Sequence, residues 1–395
     1  MKVVVAHTCR LLNSLVVRRP RSTISAVLEE DPRLPVPRNT RDEIVQNLWR
    51  HNPATAPHAE QLDWSSYFAY YTAECNLAIQ FDHGRHTSIR THRDIISIAG
   101  KVQAHQTKVE IKQWLRSQLH QPRTPQAIEE MLNGSLTLVA RLLTMTDIGP
   151  RPYTSRSQSS WSWADDNMSL IDFLATKFVK QSLQGQIDYE FEEEFTAYNV
   201  HRLAGVEIVW TDNLAQHLQL TRNGKKVYIF PHASFLKWQE KYDHPNNPEL
   251  LLFANLYSHI FPPGLIQETL QTLALLFPSH DTKTRKWITT QAASENNEAP
   301  TIDSQLVECG RLRECYADEF AYWGNRLVAL HEAFSEPRQR SIFQQWRDKR
   351  NIAQWYTFWI AMVILILTVF FGLVQSIEGA IQVYKAYHPT QQGRE

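Results

Sequence analysis

The chain has 395 residues, enough for one large core or two to three ordinary domains. Its 43% hydrophobic and 21% charged content is that of a folded protein, and Lys plus Arg equal Asp plus Glu at 41 each. That balance leaves no overall positive charge to neutralise a phosphate backbone, so no nucleic acid is expected as partner. Glycine is sparse at 13 residues, which disfavours phosphate-cradling loops.

Residues 1–30 read as a basic N-terminal leader. Lys2, Arg10, Arg18, Arg19 and Arg21 occur before the first acid, Glu29. Arg-rich, Ser-bearing and acid-free is the composition of a mitochondrial presequence; His7, Arg10 and Asn13 break the apolar run a secretory signal needs. Residues 31–148 form a helical region. Prolines 35, 37, 53 and 57 mark a loop-like start, a helix begins near Asp63 as N-cap, and further helices cover Lys101–Leu119 and Pro125–Thr146, with Thr124 as cap and Pro125 in the first turn. Residues 149–167, rich in Ser, Pro and Arg without periodicity, read as a linker or loop.

Residues 168–293 form a second helical region. Leu170, Phe173, Leu174 and Phe178 share a helix face, and the acidic run Asp188–Phe195 opens the next helix. Residues 206–230 carry a small α+β subdomain: VEIVW and KVYIF read as strands around a short helix and a hairpin turn at Asn223-Gly224. Strand, helix, turn, strand is part of a winged-helix pattern, but only Arg222, Lys225 and Lys226 are basic there. Leu265–Phe277 reads as a core helix.

Residues 302–350 are expected to hold a long amphipathic helix and a basic membrane-proximal segment. Leu306, Cys309, Leu312, Tyr316, Phe320, Trp323, Leu327, Leu330 and Phe334 recur at three- and four-residue steps, and Pro337 ends the stripe. Its first reading is packing on its own domain. A partner chain is the second.

Trp355 to Val374 is the clearest feature. Twenty residues as a helix span about 30 Å, the thickness of a hydrocarbon core. Twelve of them are Leu, Ile, Val or Phe and none is charged, giving about −5 kcal/mol on an insertion scale. The expected architecture is therefore mainly α, with one C-terminal transmembrane helix over 355–374 and a short tail over 375–395. Arg347, Lys349, Arg350, Trp355, Tyr356 and Trp359 mark the membrane interface. Gly372, Ser376 and Ala380 form a row for helix–helix contact. Basic residues are denser upstream of the span, which places the N-terminal part in the cytosol, in a tail-anchored layout. An endomembrane is favoured, with a mitochondrial membrane as the alternative.

Catalytic signatures are absent from the sequence. There is no GxxxxGK[ST], GxGxxG after a strand, GxSxG or HExxH, and His92-Arg93-Asp94 lacks the rest of a kinase set. His83, His86 and His92 lie near Asp82 and Asp94, but Gly84 and Arg85 make a poor metal scaffold. Asp212 and His217 are an acid/base pair only if they share a pocket. Cys9, Cys75, Cys309 and Cys315 read as reduced thiols. No cofactor, catalytic residue or metal ligand is assigned.

EIVWTDNLAQHLQL with its following strand, GLIQETLQTLALLFP, and W-R-D-K-R-N-x3-W-x2-FW resemble a family of uncharacterised filamentous-fungal (ascomycete) membrane proteins with a C-terminal transmembrane helix. The resemblance runs from about residue 60 onward. It implies a membrane-anchored protein and carries over no catalytic residue. The leading expectation is a cytosol-facing protein-interaction module, bound to the lipid bilayer, that meets a protein partner or itself through 306–334 or the transmembrane helix. An enzyme of unrecognised class and a membrane-tethered winged-helix-like regulator are the alternatives.

Overall fold

The computed structural model describes residues 26–49, 62–80, 85–119, 124–151, 160–181, 190–243, 259–293, 301–308, 310, 315–335 and 352–387. The leader before Ala26 lies outside them. Helices dominate, as the composition predicts, with one small two-stranded sheet.

Five helices make the first half: α1 (Arg38–Leu48), α2 (Ser65–Gln80), α3 (His92–Gln103), α4 (Lys108–Gln118) and α5 (Pro125–Thr144). Helix α5 is the central element and packs against α2, α3 and α4. Thr124 accepts a hydrogen bond from the Ala127 amide, Pro125 occupies the first turn, and Met145 closes the helix in the left-handed region. Leu132, Leu136, Val139, Leu142 and Leu143 are fully buried along it. Asp63 accepts from the Ser65 amide at the start of α2, at 2.9 Å.

The helix expected over Lys101–Leu119 is two helices. Helix α3 ends at Gln103, His105 turns with φ 55°, and Thr107 with Glu110 forms a capping box that starts α4. The Thr-x-x-Glu signal competes with the apolar periodicity that runs across the break. Thr91 and Asp94 form the same device at the head of α3, which fixes RTHRD as a helix start.

Gly134 on α5 is where the loop before α3 comes closest. A Cβ there would overlap the carbonyl oxygen of His86, a backbone atom. Gly134→Ala is therefore expected to destabilise the body by about 1–3 kcal/mol, read as a lower denaturation midpoint. An unchanged midpoint would show that the two segments separate without cost.

The stretch expected as a linker, 149–167, is attached to the body at both described ends, while residues 152–159 lie outside the described set. The Gly149 amide donates to Trp161 and the Trp161 amide to Asp147, at 2.9 and 2.8 Å. Trp163 is buried, and Asp166 pairs with Lys108 and Lys112 on α4.

The second half carries α6 (Leu170–Lys177), α7 (Ala197–Ala204), α8 (Ala233–Asp243), α9 (Leu265–Leu276), α10 (Thr282–Ala293) and α11 (Gly324–Ser335). Helix α7 starts at Ala197 on a Thr196 cap, so the acids of 192–194 precede it rather than open it. Phe191 and Phe195 are both buried and stack at 5.4 Å.

Strands β1 (Glu207–Trp210) and β2 (Lys226–Ile229) pair in parallel, with Glu207 opposite Lys226. The short helix and hairpin turn expected after β1 are present: Leu214–Gln216 is a 3-10 turn, and the Asn223-Gly224 turn folds the chain back so that β2 pairs with the residues just before the turn. Thr221 donates to Lys226, Tyr228 to Gln219, and Leu218 to Tyr228. That leaves β1 the other edge of β2.

The continuous helix expected over 302–334 is corrected. Ser304–Glu308 and Ala317–Glu319 are short 3-10 turns, Gly310 has φ 105°, and among the described residues of the segment only Gly324–Ser335 is α-helical. The burial the stripe encodes is real: Leu306, Phe320, Trp323, Leu327, Leu330 and Phe334 are all buried. Two carboxylates, one from elsewhere and one of the segment's own, tie the irregular backbone to the rest of the fold. Glu268 on α9 accepts the amides of Tyr322 and Trp323 at 2.7 and 2.6 Å. Asp303 accepts the amide and hydroxyl of Ser234 and thereby caps α8 from a distant segment.

The two halves share one hydrophobic core. Its seam is aromatic. Trp49 stacks on Trp64, Trp64 meets Trp238 edge-on at 5.5 Å, and Tyr67 stacks on Phe235 at 6.1 Å.

Candidate functional site

Helix α12 (Ile352–Tyr387) is 36 residues long, about 54 Å at 1.5 Å per residue. Among the described residues it is the one helix long and apolar enough to cross a membrane: its most apolar 18-residue window, within Tyr356–Tyr387, has mean hydropathy 2.6 and is not buried in the protein. Every exposed large hydrophobic residue of the described protein except Leu34 and Val179 lies on it. Water would charge heavily for that surface, whereas hydrocarbon would not.

The helix does not stop at Val374. It continues through Gln375 to Tyr387, where a short tail was expected. Tyr356 is exposed near its start. Arg347, Lys349 and Arg350 lie outside the described residues, as does the side chain of Trp355; Trp359 stands one turn further in, edge-on to Phe358 at 6.1 Å. Gly372, Ser376 and Ala380 are all exposed on α12, and the Ser376 hydroxyl donates to the Gly372 carbonyl at 2.9 Å.

In the body, Asp212 and His217 do not meet as an acid/base pair. His217 is fully buried. Its Nδ1 accepts the Phe230 amide at 3.2 Å, so Nε2 carries the proton and donates to Thr272 Oγ1 at 2.8 Å. Burial, then the nearby Arg326 guanidinium, pushes its pKa down to about 3. A neutral imidazole fixed at both nitrogens is a packing element.

Asp212 instead pairs with His232, Oδ1 to Nε2, at 2.7 Å, and the other ring nitrogen lies 3.3 Å from Ser66 Oγ. Serine, histidine and carboxylate in line is the arrangement that activates a hydroxyl. Here His232 is fully buried and Ser66 is 4% exposed, at the N-terminus of α2. The hydroxyl is not presented to solvent, and the line fastens α2 to the segments flanking β2.

His83 lies outside the described residues. His92 is buried with Nδ1 2.8 Å from the Tyr71 hydroxyl, and burial lowers its pKa to about 4. Asp94 accepts the amides of Arg90 and Thr91. Among the described residues no group of three or more His, Cys, Asp or Glu is placed to hold a metal ion. Cys75 and Cys315 are free and buried, and burial raises both thiols, Cys315 to about 12.

Two charged arrangements were not foreseen. Glu74, on α2, accepts Arg141 Nε at 2.7 Å and pairs with Arg151 at 2.9 Å inside the core. A cleft of ≈ 370 Å³ lies between the starts of α1 and α2, walled by Arg38, Arg41, Asp42, Asp63, Trp64 and Ser65. Its two guanidinium groups are matched by two carboxyl groups, and Asp63 already accepts Ser304 Oγ at 2.9 Å.

Comparison of the chain with family models, with curated proteins and with solved structures finds no match. The functional reading therefore rests on the chain's own chemistry. Glu74 and Arg141 were readable only as charges inside apolar helices, and nothing in sequence placed them opposite each other. His232 and Ser234 follow Pro231 directly after a β run, a helix-start signal that the sequence reading passed over.

Proposed function

We propose that this is a single-pass membrane protein: α12 crosses the bilayer and holds the helical body at the cytosolic face. The observation that supports it is that α12, alone among the described helices, is long and apolar enough to cross, and its apolar window is not covered by the body. Orientation follows from Arg338, Arg340, Arg347, Lys349 and Arg350 upstream, against Lys385 and Arg394 downstream. An endomembrane is the favoured location, and the basic leader makes a mitochondrial membrane the alternative.

The body acts as a protein-binding module. What favours binding over chemistry is the employment of its buried titratable groups. His217, Glu268 and Asp303 all hold backbone amides, and His92 and His232 hold hydroxyls or a carboxylate of the fold. Leu306, Phe320, Trp323, Leu327, Leu330 and Phe334 of the stripe are buried in the core, so a partner would meet other surfaces.

Carbonate extraction of membranes tests the anchor. The full chain is expected to stay in the pellet, and a chain ending at Asp348 to move to the supernatant. A full chain that extracts with carbonate would refute the span. Protease treatment of sealed vesicles tests orientation, with the body expected to be digested from the cytosolic side.

A further inference from the structure

We propose that the cleft between the starts of α1 and α2 binds a small molecule through a single carboxylate group, held by the guanidinium groups of Arg38 and Arg41. This site stands apart from both the membrane span and the protein-binding role of the body.

The charges of the cleft balance in number but not in engagement. Asp63 is in use: its Oδ1 accepts the Ser65 amide and its Oδ2 the Ser304 hydroxyl, both at 2.9 Å. Asp42 is engaged as well. Arg41 donates Nε to the Val36 carbonyl and Nη1 to Ser65 Oγ, each at 3.1 Å, while its Nη2 meets no acceptor among the described residues. Arg38 is exposed, and its guanidinium makes no hydrogen bond or ion pair with any of them. Burial, and then the repulsion of Arg38, lowers the pKa of Arg41, with Asp63 opposing. The two cations therefore lie close enough to repel, and each has donors to spare.

Their place in the helix adds to the mismatch. Helix α1 begins at Arg38 after Pro37, with no side-chain cap and no acid in its first turn. A helix N-terminus carries about half a positive charge, so arginines at the first and fourth positions of α1 have the wrong sign for it. An anion there relieves both repulsions. Trp64, in the same wall, is only 4% exposed, and its buried Nε1–H donates to no acceptor. A guanidinium presents its donors as a planar fork that matches a carboxylate. Asp42 and Asp63 repel a second negative charge, so a singly charged group suits the cleft and a phosphate monoester dianion does not. At ≈ 370 Å³ the cleft falls in the range of about 300–1,000 Å³ common for small-molecule sites.

The test uses the full chain in an uncharged detergent and three probes of similar shape: benzoate, the neutral benzamide and phenyl phosphate. Benzoate is expected to bind with a Kd of about 1 mM, read by saturation-transfer NMR, and more tightly than either of the others. Arg38→Ala is expected to weaken benzoate about tenfold. The same variant should keep the wild-type denaturation midpoint or raise it, because Arg38 holds nothing in the fold and opposes the helix dipole. A chain that gives no benzoate signal, binds benzamide or phenyl phosphate as tightly, or keeps its benzoate affinity in Arg38→Ala overturns the site. A lower midpoint in Arg38→Ala overturns it too, since the arginine would then serve the fold rather than a ligand.

Discussion

Replacing Glu74 with alanine is expected to destabilise the body by about 3–5 kcal/mol, the cost of leaving a buried charge without its partner. Glu74 is 4% and Arg141 2% exposed, so neither guanidinium nor carboxylate reaches bulk water. The Arg141 group would keep only the Ile148 carbonyl, which it meets at 3.0 Å. Arg151 is better placed to adapt, because its side chain is 24% exposed. The double change Glu74→Met with Arg141→Met is expected to recover most of the loss, since a buried pair replaced by apolar side chains of similar volume is often neutral. Denaturant unfolding of the full chain in detergent, followed by tryptophan fluorescence, measures both. A single Glu74→Ala variant within about 1 kcal/mol of the wild type would mean that water or a rearranged partner reaches Arg141.

The second large effect is a loss of stability in mild acid. His217 has a folded-state pKa near 3 and His92 near 4, against 6.5 for the free group. Above pH 6.5 both are neutral whether the chain is folded or not, and their contribution to stability is fully present. Below it the unfolded chain takes up protons that the folded one refuses. Stability therefore falls with pH down to the folded-state values. At pH 5 His217 alone accounts for about 2 kcal/mol, at 1.36 kcal/mol per pH unit.

Glu268 and Asp303 act with the opposite sign, because burial raises both carboxyls. Their contribution is fully present below the unfolded-state pKa and is lost as pH rises through the folded one, which softens the acid loss. Unfolding free energy measured from pH 7.5 to pH 5 should fall, and His217→Gln should flatten the slope. An unaltered slope in that variant would remove His217 as the cause.

Much of the helical layout is local and was legible in sequence. Thr124-Pro125 announced α5 because a cap and a first-turn proline act over four residues. Leu170, Phe173, Leu174 and Phe178 face inward as their spacing requires. The apolar run of α12 needs no tertiary information at all.

Failures came where a distant group decided the backbone. The stripe from Leu306 to Phe334 has helical spacing, but Glu268, far from it in sequence, and Asp303, bonded across the fold to Ser234, stabilise a non-helical path. The parallel order of β1 and β2, to which the sequence assigned no direction, depends on which edge of β2 the turn leaves open. Of the proposed interface, Tyr356, Trp359 and the Gly372 row are on the described helix. Arg347, Lys349 and Arg350 are not, because they fall before its first residue.

The long reach of the contacts in the body bears on how the protein is made. Asp63 is bonded to Ser304 and Ser234, and Trp64 packs on Trp238, so the first half cannot complete its packing until the last third has been synthesised. Helix α12 begins at Ile352, eighteen residues after Phe334, the last fully buried residue among those described. A chain that grows from its N-terminus at about 5–20 residues per second offers only seconds between the two events. The final closure of the core and the delivery of the apolar helix thus fall almost together, and any factor that shields α12 during synthesis must work while the body is still incomplete.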